Sequence, residues 1–222
     1  MSSSASERGD RSGLERGSGF VKEKGASRLD GQDAEMLACQ QIIHQRLEGR
    51  KTMKTMDLGK SGLKVTELGC GGIPIMRVPP EEARVILRHC FELGIRFFDT
   101  AHVYNDSEEK IGDAVQPFRS QVILATKVWA KTAGGAEHEL STSFSRLRTE
   151  HIDLIQCHNV SNHEDLDKVL SPGGAYEVLA KAKAEGRVRA IGFSSHNPDV
   201  AVKAIHSGTF ATGQFPFNFI AS

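Results

Sequence analysis

The sequence predicts an α/β fold: a (β/α)8 TIM barrel, truncated after about five βα units and led by an N-terminal β-hairpin. Three observations carry this expectation. Short apolar runs alternate with helix-length amphipathic segments, the pattern of a parallel sheet covered by helices. The Gly-x-Gly-x-x-Gly fingerprint of a doubly wound dinucleotide fold is absent, because Gly69-Cys-Gly-Gly-Ile-Pro lacks the third glycine and no helix follows it directly. Several apolar runs are followed at once by a polar side chain, as barrel strands deliver chemical groups from their C-terminal ends to one face.

The elements follow in order. Between Leu58 and Gly69, Gly59 and Gly62 bracket a tight turn, which reads as a β-hairpin. Pro79-Pro80 with Glu81 and Glu82 opens a helix, since proline suits a first turn and acids complement the positive end of the helix dipole. Val85, Ile86, Cys90, Phe91 and Leu93 are expected to form its buried face, and Gly94 ends it. A strand follows over 95–98, then a helix near Ser107 to Val115, then a strand over 122–126. A helix carrying Leu140, Phe144 and Leu147 leads to a strand over 152–156. A helix from Ala175 to Glu185, stopped by Gly186, leads to the run starting at Val188. Asn197-Pro198 caps a helix through Ile205, and the last extended run spans Thr212 to Phe219. Counted this way, the chain supplies five parallel strands.

Residues 1–52 differ in kind. Ser, Gly, Arg, Glu and Lys dominate from Met1 to Gln32, so this stretch is expected to be a disordered extension, with one weakly patterned helix between Ala34 and Leu47. The barrel portion is assigned to residues 53–222. Twenty-eight basic residues balance 28 acidic ones, which argues against a nucleic-acid footprint or a polybasic membrane patch. No apolar run approaches the roughly 20 residues of a membrane span, and the N-terminal residues lack the apolar core of a secretory signal. Cys39, Cys70, Cys90 and Cys157 are scattered without metal or disulfide spacing, so a reducing, cytoplasmic setting is expected.

The chemistry gathers at strand ends. Asp99 ends one apolar run and Tyr104 follows in the next loop; Lys127 and His158 end the next two runs, and Ser194, Ser195 and Gln214 stand at the later ones. Each has a plain structural reading alone: a carboxylate on loop amides, a packed phenol, a surface ammonium, a satisfied imidazole. Together, at the same end of consecutive strands, they describe a proton-transfer site. Reducing a carbonyl needs a hydride on carbon and a proton on oxygen. A lysine beside a tyrosine is expected to lower the phenol's pKa, a carboxylate to fix the lysine, and a histidine to hold the substrate oxygen. No metal constellation offers an alternative, since His163-Glu-Asp-Leu-Asp is not His-Glu-x-x-His and Cys157 and His158 point to opposite faces of a strand.

With these residues in place, the chain resembles the aldo-keto reductases from about Asp57 to its end. The resemblance rests on Gly94-Ile-Arg-Phe-Phe-Asp-Thr-Ala with Tyr104, on Ser107-Glu-Glu-Lys-Ile-Gly112, on Ala125-Thr-Lys127, on Asp153-Leu-Ile-Gln-Cys-His158, and on Gly192-Phe-Ser-Ser. It implies a (β/α)8 barrel and a catalytic tetrad of Asp99, Tyr104, Lys127 and His158, with Tyr104 as general acid. It implies a nicotinamide cofactor, NADP(H) in preference to NAD(H), and a small-molecule aldehyde or ketone as substrate. Ser194 and Gln214 match positions that hold the nicotinamide carboxamide, Ser195 falls where many members have asparagine, and Gly71 and Gly72 match glycines that let the backbone approach the cofactor. Gly72-Ile-Pro-Ile, His158-Asn-Val-Ser, Ser171-Pro-Gly-Gly and Gln214-Phe-Pro-Phe-Asn resemble the bacterial branch with a C-terminal iron–sulfur segment, which implies such a cluster only in a longer form.

A barrel of this type has eight strands and typically about 250 residues, so five strands imply a fragment of a longer reductase with two open edges. Two other readings stand beside carbonyl reduction: a non-catalytic cofactor-binding module, as in the regulatory β subunits of potassium channels, and an inactive fragment. Lys51-Thr-Met-Lys-Thr-Met56 precedes the first patterned segment, so translation is expected to start at Met53 or Met56. The intact mass of protein made from the native gene checks this, and a chain beginning at Met1 refutes it.

Overall fold

The computed structural model describes residues 53–217. The expected disordered extension over residues 1–52, the helix between Ala34 and Leu47, and the end of the run to Phe219 lie outside the described residues.

Strands β1 (Thr55–Asp57) and β2 (Lys64–Thr66) form the expected antiparallel hairpin, with Met56 opposite Val65. Its turn depends on Gly59, whose φ of +54° is left-handed and whose added Cβ would sit 2.4 Å from Ala211 O. A glycine there serves the turn and the docking of the hairpin at once, because Lys60 N donates to that same carbonyl at 2.8 Å.

Six strands then form one parallel sheet in chain order: β3 (Gly69–Gly71), β4 (Phe97–Asp99), β5 (Ile123–Val128), β6 (Ile152–Cys157), β7 (Val188–Ser194) and β8 (Thr212–Gln214). Five helical crossovers link them: α1 (Pro80–Glu92), α2 (Ser107–Val115), α3 (Ala133–Leu147), the pair α4 (His163–Leu170) and α5 (Ala175–Ala184), and α6 (Pro198–His206). The five βα units match expectation, but the strands number six rather than five. The extra strand, β3, is three residues long and holds two glycines, so it makes no apolar run; its identity comes from parallel pairing with β4. Helix α4 was likewise not expected. Its N-cap is nonetheless written locally, since the Asn162 side chain accepts from Asp165 N at 2.7 Å.

Two apolar clusters occupy the two sides of the sheet. The larger joins Phe98, Leu124, Ile155 and Phe193 to the helices. The smaller is Leu63, Ala125, Leu154 and Ala190, with Leu58, Phe97, Ile123 and Ala211 against it, so the hairpin plugs the inner side. Along α1, Ala83 and Leu87 are fully buried, whereas Val85, expected in the core, is 68% exposed. At 100° per residue Val85 lies opposite the stripe of positions 83, 86, 87 and 90.

Leu63 is 1% exposed and is the hairpin's contribution to the inner cluster. Leu63→Ala should therefore lower the unfolding free energy by about 2–4 kcal/mol in urea titrations, and a change below about 0.5 kcal/mol would show that the hairpin does not support the sheet.

Candidate active site

All nine residues singled out from the sequence line one cleft of about 410 Å³ at the C-terminal end of the sheet: Asp99, Tyr104, Lys127, His158, Gly71, Gly72, Ser194, Ser195 and Gln214. Strand register explains the convergence. Gly71 pairs with Asp99, Lys127 with Gln156, Gln156 with Gly192, and Ser194 with Gln214, so groups on one face of neighbouring strands arrive together. Loops then turn the chain away: Asn105 follows Tyr104 at φ +40° and Asn159 follows His158 at φ +51°, a region that asparagine tolerates better than most residues.

Lys127 and Asp99 are the fixed pair. Lys127 Nζ lies 2.6 Å from Asp99 Oδ2 and donates to Thr100 O at 2.8 Å. Burial pushes the lysine's pKa down, and Asp99 opposes that shift. Gln156, which the sequence reading did not single out, donates to Asp99 Oδ1 at 3.2 Å and to Gln214 Oε1 at 3.3 Å. Gln214 Nε2 in turn lies 3.3 Å from Asp99 Oδ2. Period-two alternation through Leu154, Gln156 and His158 is the signal that could have found Gln156.

Tyr104 is half-buried, with Lys127 Nζ 5.3 Å from its ring centroid. The expectation that lysine lowers the phenol's pKa is overturned. Burial raises it, and the Asp99 charge raises it further. The physical reason is burial first, with the Asp99 carboxylate, ion-paired to Lys127, cancelling the lysine charge that would have favoured phenolate.

His158 sits between two rings, edge-on to Tyr104 at 5.5 Å and to Trp129 at 5.3 Å. Its Nδ1 is buried without a hydrogen-bond partner among the described residues, and Lys131 Nζ donates to its backbone carbonyl. Burial, then Lys127, Lys131 and His196, push its pKa down to about 4.

The remaining residues divide by what occupies them. Ser194 Oγ accepts from Asn159 N at 2.9 Å, and its own proton has no acceptor among the described residues. Ser195 Oγ donates to Asn197 O and accepts from Asn197 N, both at 3.1 Å, so it serves the cap of α6. An added Cβ at Gly71 would meet nothing within 4 Å, whereas at Gly72 it would lie 2.4 Å from Ser107 Oγ and 2.9 Å from Thr100 Oγ1. Packing alone thus requires glycine at Gly72. His196 and Phe215, direct neighbours of Ser195 and Gln214, also line the cleft and were not anticipated.

The aldo/keto reductase family model matches residues 67–220. Among curated proteins, the uncharacterized oxidoreductase YqkF of Bacillus subtilis is 30% identical over 180 residues, covering 75% of this chain and 56% of that protein. L-galactose dehydrogenase of Arabidopsis thaliana is 34% identical over 158 residues, covering 64% and 49%. The chain thus spans about half the length of these curated relatives. Among solved structures, the holo form of an aldo-keto reductase from Bacillus halodurans superposes with a TM-score of 0.66 at 30% identity, covering 74% of this chain and 58% of that one.

The histidine's depressed pKa has a consequence for stability. Its folded value is near 4 against an ordinary 6.5, so as pH falls the unfolded chain takes up the proton first. The contribution is complete above about pH 6.5 and is lost progressively toward pH 4. NMR titration should place the His158 midpoint near 4, and His158→Gln should flatten the acid side of the urea stability profile; a midpoint near 6.5 would refute the assignment.

Proposed function

The chain belongs to the aldo/keto reductase family, and from that membership we propose that this cleft interconverts an aldehyde or ketone and its alcohol, with Tyr104 as the proton donor to oxygen. The observation that carries the reading is the convergence of Asp99, Tyr104, Lys127 and His158 on one cleft, beside a Ser194 hydroxyl whose proton has no acceptor among the described residues. Members of the family use nicotinamide cofactors, and the cofactor proposed here is NADP(H). Bound, it would supply the hydride to the carbonyl carbon.

The residues present fit such a group. Ser194 has a proton to donate, Gly71 stands next to open space, and the Gln214 amide meets its present partners only at 3.3 Å. A carboxamide needs one donor and one acceptor, which Ser194 and Gln214 can supply between them. Ser195 spends its hydroxyl on the turn at Asn197, so it supports the start of α6 rather than contacting the cofactor.

The four remaining side chains divide the proton work. Tyr104 keeps its proton through neutral pH because burial and Asp99 disfavour phenolate, so it stands loaded as an acid. Once negative charge develops on the substrate oxygen, the phenol proton moves to it, and only the part of the Lys127 charge that Asp99 leaves uncancelled, 5.3 Å from the ring centroid, offsets the phenolate left behind. Asp99 holds the ammonium in place at 2.6 Å. His158 is neutral near pH 7, with Nδ1 enclosed and unpaired. A buried orphan N–H is costlier than an unfilled lone pair, so the proton is assigned to Nε2, which donates to the substrate oxygen. The edge-on rings of Tyr104 and Trp129 hold the imidazole's plane.

Tyr104→Phe should lower turnover by about 10²–10⁴-fold in an aldehyde panel while leaving NADPH affinity within about two-fold. Cofactor oxidation and cofactor binding are to be measured on the same preparations, with NADH in parallel. Undiminished turnover in the variant would refute Tyr104 as the acid, and NADPH binding without turnover on any carbonyl in the parent chain would favour a non-catalytic binding module.

A further inference from the structure

The first turn of α2 buries a carboxylate that the proposed chemistry does not use. Glu108 is fully enclosed. Its Oε1 accepts a 2.6 Å hydrogen bond from Thr126, the residue before Lys127 on β5. Its Oε2 faces Arg146 Nη1 of α3 at 3.5 Å and His102 Nδ1 at 4.0 Å. Neither Oε2 nor that Nδ1 has a hydrogen-bond partner among the described residues. A buried charge is costly unless its surroundings repay it, so this carboxylate calls for an account.

Its place in the chain supplies one. The segment bearing Tyr104 leaves the sheet after Asp99 and returns as α2 at Ser107. Within the segment, Tyr104 N donates to Ala101 O at 3.0 Å and Ser107 N to Tyr104 O at 2.8 Å. These bonds shape the loop. They do not hold Glu108 against β5 or His102 against α3. Thr126 makes the first of those links through Glu108, and Arg146 makes the second by donating to His102 O at 3.1 Å. His102 N also donates to Lys127 O at 2.9 Å, so the braced loop is tied to the backbone of the lysine itself.

We propose that Glu108, with Arg146 as its counter-ion, is a positioning residue that holds the Tyr104 loop against the Lys127 strand. The idea deepens the Tyr104 reading above and rests on it. A plainer role is an acid in the first turn of a helix, favoured by the dipole and by the Thr126 hydroxyl. Glu108→Gln keeps an acceptor for Thr126 and removes the buried charge, while Arg146 still faces Glu109 Oε1 at 3.6 Å; a merely structural acid of the first turn would leave the Tyr104 ring unmoved.

The chain contains two tyrosines, Tyr104 and Tyr176, so 3-fluorotyrosine labelling gives two ¹⁹F resonances that Tyr104→Phe assigns. In the parent chain the Tyr104 signal should be single. In Glu108→Gln and in Arg146→Met it should broaden or split, while Tyr176 on α5 stays in place as the control for folding. In the NADPH-linked assay the same variants should lose on the order of 10–100-fold in kcat, with KM for the aldehyde and cofactor affinity within about two-fold. If Glu108→Gln does not fold, Thr126→Val removes the hydroxyl alone and should split the Tyr104 signal in the same way. A single, unmoved Tyr104 resonance in a folded Glu108→Gln or Thr126→Val overturns the positioning role. A split signal in the variants, with no turnover in the parent, upholds the brace and refutes the Tyr104 chemistry instead.

Discussion

The ion pair between Lys127 and Asp99 is the contact around which the cleft is arranged. Only 3% of the lysine side chain is exposed, and burial by itself drives an ammonium toward neutrality. A carboxylate 2.6 Å away and the Thr100 carbonyl make the charge tolerable. That arrangement exists only in one strand register. Asp99 pairs with Ala125, and Lys127 lies two residues further on the same face, roughly 7 Å along the strand, so its stem folds back to the acid. A slip of one residue would turn Lys127 into the helix layer, where Phe98 and Leu124 leave it no partner. Gln156 and Gln214 both reach Asp99, which draws β6 and β8 into the same arrangement.

The pair also sets the electrostatics around it. Because Asp99 neutralises Lys127, the phenol of Tyr104 is not acidified; burial and the carboxylate hold its proton on. His158 experiences the opposite sign, with Lys127, Lys131 and His196 adding to burial to keep it neutral. The cleft thus holds a loaded acid and an uncharged imidazole near pH 7, which suits proton delivery to an oxygen that is gaining negative charge. Below this layer, Glu108 with Thr126 and Ser107 with Thr100 form a buried polar floor under the loop that carries the acid.

Support for the cleft comes from the two sides of the sheet. Helices cover one side with a broad apolar layer, and the hairpin fills the other with Leu58 and Leu63. The Gly59 turn is shaped to the far end of the chain's sheet, since Ala211 lies just before β8 and its carbonyl takes the Lys60 amide. Apolar residues therefore fill the sheet up to the point where Asp99, Lys127 and Gln156 take over. Affinity for water changes along a single strand, from Ile123 and Ala125 to Lys127 on the same face.

Much of this was legible from residue order. Asp99, Lys127 and His158 each follow an apolar run, and period-two alternation assigns them to one face without any coordinates. Caps and stops at Pro80, Gly94, Gly186 and Asn197 mark helix ends through local backbone chemistry. Residues whose role depends on a distant partner were not legible in this way. Gly69–Gly71 is a strand only because Phe97–Asp99 lies beside it. Val85 has a core composition but lies on the wrong side of its helix. Gln156 and Glu108 look like ordinary polar residues until Asp99 and Thr126 meet them. By itself the sequence determined the fold class, the ends of most helices and nine residues of the cleft, because those follow from periodicity and from bonds between near neighbours. Only the tertiary structure decided the strand count, the direction of the Tyr104 pKa shift and the polar floor beneath it, because each is set by groups far apart in the chain acting through space.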